Sequence, residues 1–200
     1  SVEGLVFVDL DCPEVVQMAD GFLPDTPTIY GRPSKPRSKR IYRSPFDKTA
    51  AYKDKDAGTV LVEIRSKHQD MAPPSVHPDG EPLTWDTPDL GTPATVPAED
   101  LTCAVKLLCT AAAIGRHYNA EGSRHEWCLA LAGLLRTRGI TEGDCTAVIT
   151  AAAQWAHDDK LTDRLTEVQS TYAHDDDAPL TGARTLDDLD HGSLAQTLTA

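Results

Sequence analysis

The sequence predicts an α+β fold, and three observations carry that expectation. Two short β-rich runs, Leu5 to Asp11 and Thr59 to Ile64, lie in the first part, which also holds most of the 14 prolines. A Thr/Pro/Gly/Asp-rich stretch follows between Thr87 and Pro97. Beyond it the apolar period becomes helical. At 200 residues, 40% hydrophobic and 25% charged, the chain can bury a core without covalent staples. Nineteen basic residues against 31 acidic ones give a net charge of -12, which excludes a uniformly basic nucleic-acid coat but not a local basic patch. No apolar run is long enough to span a bilayer, and no signal-peptide pattern is visible. The apolar run that begins just after Ser1 raises the expectation that the start of a longer chain has been cut away.

Taken in order, Leu5-Val-Phe-Val-Asp-Leu-Asp11 reads as a strand ending in acids, and Thr59 to Ile64 as a second strand bounded by Gly58. Met71 to Trp85 reads as a Pro-rich connection with a Pro-Asp-Gly turn. Leu101, Val105, Leu108 and Ala112 recur at helical spacing. Ser123-Arg-His-Glu126 has capping-box spacing, with Trp127, Leu131, Leu134 and Leu135 on one face and Gly139 as a stop. Thr141 caps a helix whose inner face is Val148, Ile149, Ala152 and Trp155, and Leu161, Leu165, Val168 and Tyr172 mark another. Asp175 to Asp177 reads as a break, and Leu186 to Leu198 as one or two short helices. Such helices cannot bury a face alone, so they should form one small bundle. The expected division is a sheet core over 1–86, a linker over 87–96 and a helical bundle over 97–200.

The cysteines are Cys12, Cys103, Cys109, Cys128 and Cys145, an odd set without a C-x-x-C pair. They read as small buried apolar side chains of helices rather than as a zinc site drawn from Cys103, Cys109, His117, His125 and Cys128. Reduced thiols fit a cytoplasmic protein.

Asp9 and Asp11 are the first residues that carry chemistry. Two positions apart on a strand, they point to one face, where close carboxylates repel unless a cation lies between them. Hard divalent ions prefer such oxygen ligands, although strand-end acids also serve solubility alone. Glu63, within the apolar second strand, needs a solvent face or a partner. If the two strands pair, Glu63 joins Asp9 and Asp11 in a three-carboxylate cluster able to hold two metals for nucleotidyl transfer. Arg65 follows on the same face, where a salt bridge to these acids is the simpler role.

Between the strands lies a basic segment. Arg32, Lys35, Arg37, Lys39, Arg40, Arg43 and Lys48 face Asp47 alone, a net +6 that leaves -18 for the rest of the chain. This is the footprint expected of phosphate recognition, with Ser34, Ser38 and Tyr42 as further donors, or else a solvated loop. Arg124 and His125 begin a bundle helix, where backbone N–H groups attract anions. Trp127 and Trp155 read as core, and His77 as a strand terminator or a nucleic-acid contact.

These pieces in this order resemble the bifunctional primase-polymerase domain of the archaeo-eukaryotic primase superfamily, found in plasmid and phage replication proteins. The residues that carry the resemblance are Leu5 to Glu14, Leu23-Pro-Asp-Thr26, Gly31 to Ser38, Val62-Glu-Ile-Arg65 and Ala72 to Gly80 with Trp85. Glu121 to Glu126, Leu129 to Gly133, Asp163-Arg164 and Val168 to Thr171 resemble the helical bundle that follows such domains.

The resemblance implies an RRM-like sheet core, truncated at its N-terminus, and Mg²⁺ or Mn²⁺ held by Asp9 and Asp11 of the first motif and Glu63 of the third. It implies template-directed DNA primase and polymerase chemistry on single-stranded DNA with nucleoside triphosphates, in a longer chain that can continue into a helicase domain. The second motif's histidine position is Lys39 here. Lysine neutralises phosphate as a point charge but cannot act as a neutral imidazole, a departure that bears on activity rather than on fold. The nucleotide-binding set is Arg37, Ser38, Lys39 and Arg65. The nucleic-acid contacts are Arg32, Lys35, Arg40, Arg43, Arg124 and His125. Two rival functions use the same residues: an inactive nucleic-acid-binding module of a replication protein, and a metal-dependent nuclease.

Overall fold

The computed structural model describes residues 4–174 apart from 47, 56, 68–69, 89–90 and 119–121, together with 182, 185 and 186. It is α+β, and its contacts divide the chain into two units. The first comprises the chain up to Lys53 and Val60–Cys109, and the second Asp54–Thr59 and the chain from Thr110 onward.

In the first unit, β1 (Leu5–Leu10) is followed by α1 (Pro13–Met18), a 3-10 turn (Ala19–Gly21), β2 (Ile29–Arg32), β3 (Lys35–Arg43), β4 (Ala50–Lys53), β5 (Val60–Arg65), β6 (Thr84–Trp85) and β7 (Ala94–Thr95). They form one sheet in the order β4-β5-β1-β3-β2-β6, with β7 beside β3. The β3–β7 pair is parallel and the others are antiparallel. β1 is central because its alternation serves two faces. Val6, Val8 and Leu10 are fully buried on one face with Tyr42, Val62 and Ile64. Val15, Met18 and Ala19 are buried in the helical turns that follow β1, and each fully buried side chain of this size contributes about 1.5–3 kcal/mol. Tyr52 of β4 lies on this face too, its hydroxyl beside Thr102.

The opposite face is divided. Leu5, Phe7, Tyr30, Ile41, Ala72, Leu83 and Trp85 form an apolar cluster on it, in which the rings of Tyr30 and Trp85 meet edge to face, 5.1 Å apart. The other part of this face, around Asp9, is charged.

The expected linker over 87–96 is not devoid of regular structure. β2 leaves β3 at the Ile29–Arg40 pair, so the edge of β3 beyond it is open, and Ala94–Thr95 pair there with Tyr42 and Arg43. Gly91 lies against the Pro27 ring. The first half of the next helix also belongs to the sheet unit, not to a bundle beginning at 97.

That helix, α2 (Ala98–Arg116), ends in the second unit, which continues with α3 (Arg124–Thr137), α4 (Glu142–Trp155) and α5 (Leu161–Ala173). Leu101, Val105, Leu108 and Ala112 are fully buried, as their spacing predicts. Cys103 departs from the expectation of buried thiols: it is exposed, two positions from Leu101 and so off the apolar stripe. Trp127, Leu131, Leu134 and Leu135 are core. Ser123 accepts no capping bond from α3, because its φ/ψ of -111°/1° is not the extended conformation a cap requires. Thr141, at -69°/158°, does cap α4, accepting from the Asp144 N–H at 3.1 Å. α5 differs most from its reading. The fully turned-in residues are Arg164, Glu167, Val168 and Thr171, while Leu161, Leu165 and Tyr172 are only half-buried, because a buried ion pair occupies the stripe. The break at 175–177 and most of 186–198 lie outside the described residues; Leu186 itself is buried. Among the described residues no helix is long and apolar enough to cross a membrane.

Candidate active site

Asp9 stands at the centre of a row across the sheet. It pairs with Glu63 of β5 on one side and Lys39 of β3 on the other, and Lys39 pairs in turn with Tyr30 of β2. Directly opposed residues share a face, so two acids and a lysine converge as strand parity predicts. Asp11 lies just past β1 and keeps the ladder going, its N–H donating to the Leu61 carbonyl at 2.8 Å.

Each predicted acid has a cation. Lys39 Nζ donates to Asp9 Oδ2 at 2.9 Å, Arg65 Nη2 to Glu63 Oε2 at 2.7 Å, and Lys35 Nζ to Asp11 Oδ1 at 3.1 Å. Arg65 Nη2 also lies 3.6 Å from Asp9 Oδ2. The bond to Glu63 is the main cause that raises the Arg65 pKa above its ordinary value.

A fourth acid, which sequence reasoning missed, completes the cluster. Asp70 has a side chain only 3% exposed, and its Oδ1 accepts from Lys39 Nζ at 2.7 Å and from the Met71 N–H at 2.8 Å. Its Oδ2 is buried without a hydrogen-bond partner, 3.8 Å from Arg65 Nη1. Burial, with Asp70 and then Asp9 nearby, pushes the Tyr30 phenol well up, and its hydroxyl donates to the Met71 carbonyl at 3.0 Å. The only sequence signal for Asp70 is a lone acid just before the Pro-rich connection. Asp9, Glu63 and Asp70 supply oxygen donors alone, one of them unsatisfied, so the chemistry suits a hard divalent ion. What stands among them is the Lys39 ammonium. Among the described residues no three His, Cys, Asp or Glu side chains are grouped to hold a metal.

The basic segment is a hairpin whose strand β3 bulges. The register with β2 jumps between Tyr30–Lys39 and Arg32–Lys35, and Arg37 sits in the left-handed region at φ 55°. Gly31 permits this: a Cβ there would meet the Lys35 carbonyl oxygen and lie 2.7 Å from the Arg37 nitrogen. The bulge turns Arg37 toward Asp86 and toward Asp20, whose carboxylate accepts from its Nη2 at 2.9 and 3.0 Å. Arg32 pairs with Asp79 and approaches Glu81. Glu81 in turn accepts from the Ser34 hydroxyl at 2.5 Å. His77, read as a strand terminator, lies within 2.9 Å of Arg32 Nη1.

Two of the predicted contacts are displaced. Arg40, paired with Val8, lies on the opposite face, 1% exposed, with Nη2 2.5 Å from Asp20, and Ser38 is 4% exposed. Burial leaves neither open to a nucleotide or a DNA strand. Arg43 is exposed on the site face, opposite Leu5 and four pairs beyond Lys39.

In the second unit, Arg124 and His125 begin α3 and line a cavity of about 420 Å³ with Asp158, Lys160, Arg164 and Glu167. The fully buried Asp158 carboxylate accepts from Tyr118 Oη at 2.9 Å, Arg164 Nε at 3.0 Å and the Lys160 N–H at 3.0 Å, with Arg124 Nη1 at 3.3 Å. Burial pushes Asp158 up, and these donors outweigh it, leaving the pKa lowered. Arg164 Nη1 donates to both Glu167 oxygens, at 2.7 and 3.0 Å, and His125 Nδ1 lies 2.7 Å from Oε1. Sequence periodicity gives no sign of this network.

No family model matches the chain, and neither a curated protein nor a solved structure is significantly similar to it.

Proposed function

We propose that this chain is a primase-polymerase-type nucleotidyl transferase acting on a single-stranded DNA template with nucleoside triphosphates, of the kind that serves plasmid and phage replication. One observation supports the reading above the others: the row Glu63–Asp9–Lys39 across three adjacent strands sets two carboxylates beside an ammonium on one face. A triphosphate with its counter-cation needs both signs of charge side by side. Asp9 and Glu63, with Asp11, would hold Mg²⁺ or Mn²⁺, which when bound supplies Lewis-acid stabilisation of the reacting phosphate.

The chain's own groups bind and orient. Lys39 and Lys35 sit at the acids and neutralise phosphate oxygens, and Arg37 at the bulge adds a bidentate donor. The exposed pairs Lys35–Asp11 and Arg37–Asp20 are weak, so a phosphate displaces their acids at little cost. Arg32 and Arg43, on the hairpin and the far end of β3, serve the template strand.

A second reading, the inactive nucleic-acid-binding module, is favoured by the position of Lys39 between Asp9 and Asp70. Primer extension on a single-stranded template with Mn²⁺ or Mg²⁺ separates the two. Extension that falls by about a hundredfold or more in Asp9→Asn supports catalysis. Nucleotide or DNA binding without extension supports the module. Cleavage of DNA in the absence of nucleotides overturns both in favour of a nuclease.

A further inference from the structure

We propose that the groove beside Trp85 takes the nucleobase of the nucleoside triphosphate, with the indole as its stacking platform. The inference rests on the reading of the Asp9–Lys39 face as a triphosphate site and adds to it a place for the base.

The row through Asp9 does not end at Tyr30. Tyr30 of β2 pairs with Trp85 of β6, so Glu63, Asp9, Lys39, Tyr30 and Trp85 lie in register across neighbouring strands and on one face. Strands are about 4.7–4.9 Å apart, which sets Trp85 about 10 Å from Lys39 along the row. An extended nucleotide covers such a span between its base and its outer phosphates. The row runs from carboxylates through an ammonium to an aromatic ring, the order that suits a ligand with anions at one end and a flat ring at the other.

Pro73, Pro74, Leu83 and Trp85 line a groove of about 500 Å³, to which Asp86 and Thr87 add polar groups. That volume is of the order of a small-molecule pocket. Leu83 is buried, but Trp85 is only half-buried: its ring meets Tyr30 edge to face, and the rest of it lines the groove. Charge selects the occupant. Asp86 is held by Arg37, whose side chain is 36% exposed on the bulge of β3, so the apolar groove has a guanidinium at its rim. An apolar partner would leave that guanidinium without a role, whereas an aromatic ring that carries phosphate uses both features. Stacking needs only a π face, which every base has, so one platform serves all four nucleotides.

The test is calorimetry on the full chain with dATP, with inorganic tripolyphosphate, which has the anions but no base, and with a short oligothymidylate. The parent should bind dATP about five- to a hundredfold more tightly than tripolyphosphate, the worth of one stacked base. Trp85→Leu keeps an apolar cover over Tyr30 and should abolish that gap while leaving tripolyphosphate affinity unchanged. Trp85→Phe keeps a ring and should retain most of the gap. A second readout needs no loss of the ring: in the parent, the indole N–H resonance of Trp85, assigned by its disappearance in Trp85→Phe, should move with dATP and stay in place with tripolyphosphate. A gap that survives in Trp85→Leu, an equal loss for both ligands, or a Trp85 resonance indifferent to dATP overturns the proposal. Weakened oligothymidylate binding with intact dATP binding overturns it in favour of a template base. Primer extension separates this from the broader reading. Base-dependent binding through Trp85 in a chain that never extends a primer leaves the groove standing and removes the polymerase. Extension with the same KM for dATP in the parent and Trp85→Leu does the reverse.

Discussion

The two charged clusters use the same residue types and reach opposite states. In the bundle, Asp158 has four donors around it, and both oxygens of Glu167 are taken by Arg164. In the sheet, Asp70 keeps a bare oxygen, and three acids share two cations. A closed network specifies one arrangement of helices; an open one leaves a place for something the chain does not supply. The difference is the reason the proposed site is drawn at the sheet rather than at the bundle cavity.

The sharpest way to break the comparison is to open the closed network. Arg164→Met leaves Asp158 and Glu167 buried without their shared cation and should destabilise the chain by about 3–5 kcal/mol, read as a lower urea midpoint by circular dichroism. A loss under about 1 kcal/mol would mean that the bundle network is as loose as the sheet cluster.

Gly31→Ala comes next. Its Cβ would meet backbone of the bulge rather than the end of a flexible side chain, so the strain should cost about 1–3 kcal/mol. Nucleotide affinity should fall with it, since Lys35 and Arg37 ride on that bulge. A variant with parental stability and affinity would show the bulge to be dispensable.

Acid titration should probe the aspartates of the second unit. Asp158 and Asp54 both have pKa values lowered from 3.8. For Asp54, burial raises the value and the bonds from Arg116, the Ala57 N–H and His117 outweigh it. A depressed native pKa gives stability that is present above the unfolded value and lost as pH falls through the native one. The urea midpoint of the parent should therefore decline as pH drops below 3.8, and decline less steeply in Asp158→Asn. A midpoint that rises on acidification would contradict the role of both aspartates.

The smallest effect on stability belongs to Lys35→Ala. Its bond to Asp11 is exposed, with side chains 27% and 31% open, so unfolding should shift by less than about 1 kcal/mol. Nucleotide binding in a filter or calorimetric assay should nevertheless weaken severalfold, because the exposed ammonium is the one free to exchange acid for phosphate.

Part of the sheet was legible. Alternation in Leu5–Leu10 and Val60–Arg65 identified β1 and β5, and parity, once the two pair, put Asp9 and Glu63 on one face. β2, β3 and β4 were not read as strands, because the charges of the basic segment mask the alternation of β3. The helices of the bundle followed from apolar spacing except where the buried stripe is polar, as at Arg164 and Glu167, since periodicity counts only apolar residues. β7 escaped because two residues of Ala and Thr carry no strand signal and pair only where β3 leaves an edge. The site was half legible. The basic segment was plain as composition, but composition cannot show which face a side chain takes, so Arg40 and Ser38 were assigned to a surface from which the fold removes them. Asp70 was invisible for the complementary reason: it reaches the cluster from outside any regular element.

Asp20 carries one further consequence. Its carboxylate receives Arg37 from the bulge and Arg40 from the buried face, at 2.9 Å and 2.5 Å. A nucleotide that recruits Arg37 leaves Asp20 still neutralised by Arg40. The turn after α1 thus has a spare cation, and the arginine nearest the solvent can be lent out and taken back without disturbing the turn that holds it. Asp86, the other acid that Arg37 meets, is 30% exposed, so water takes the place of the guanidinium there.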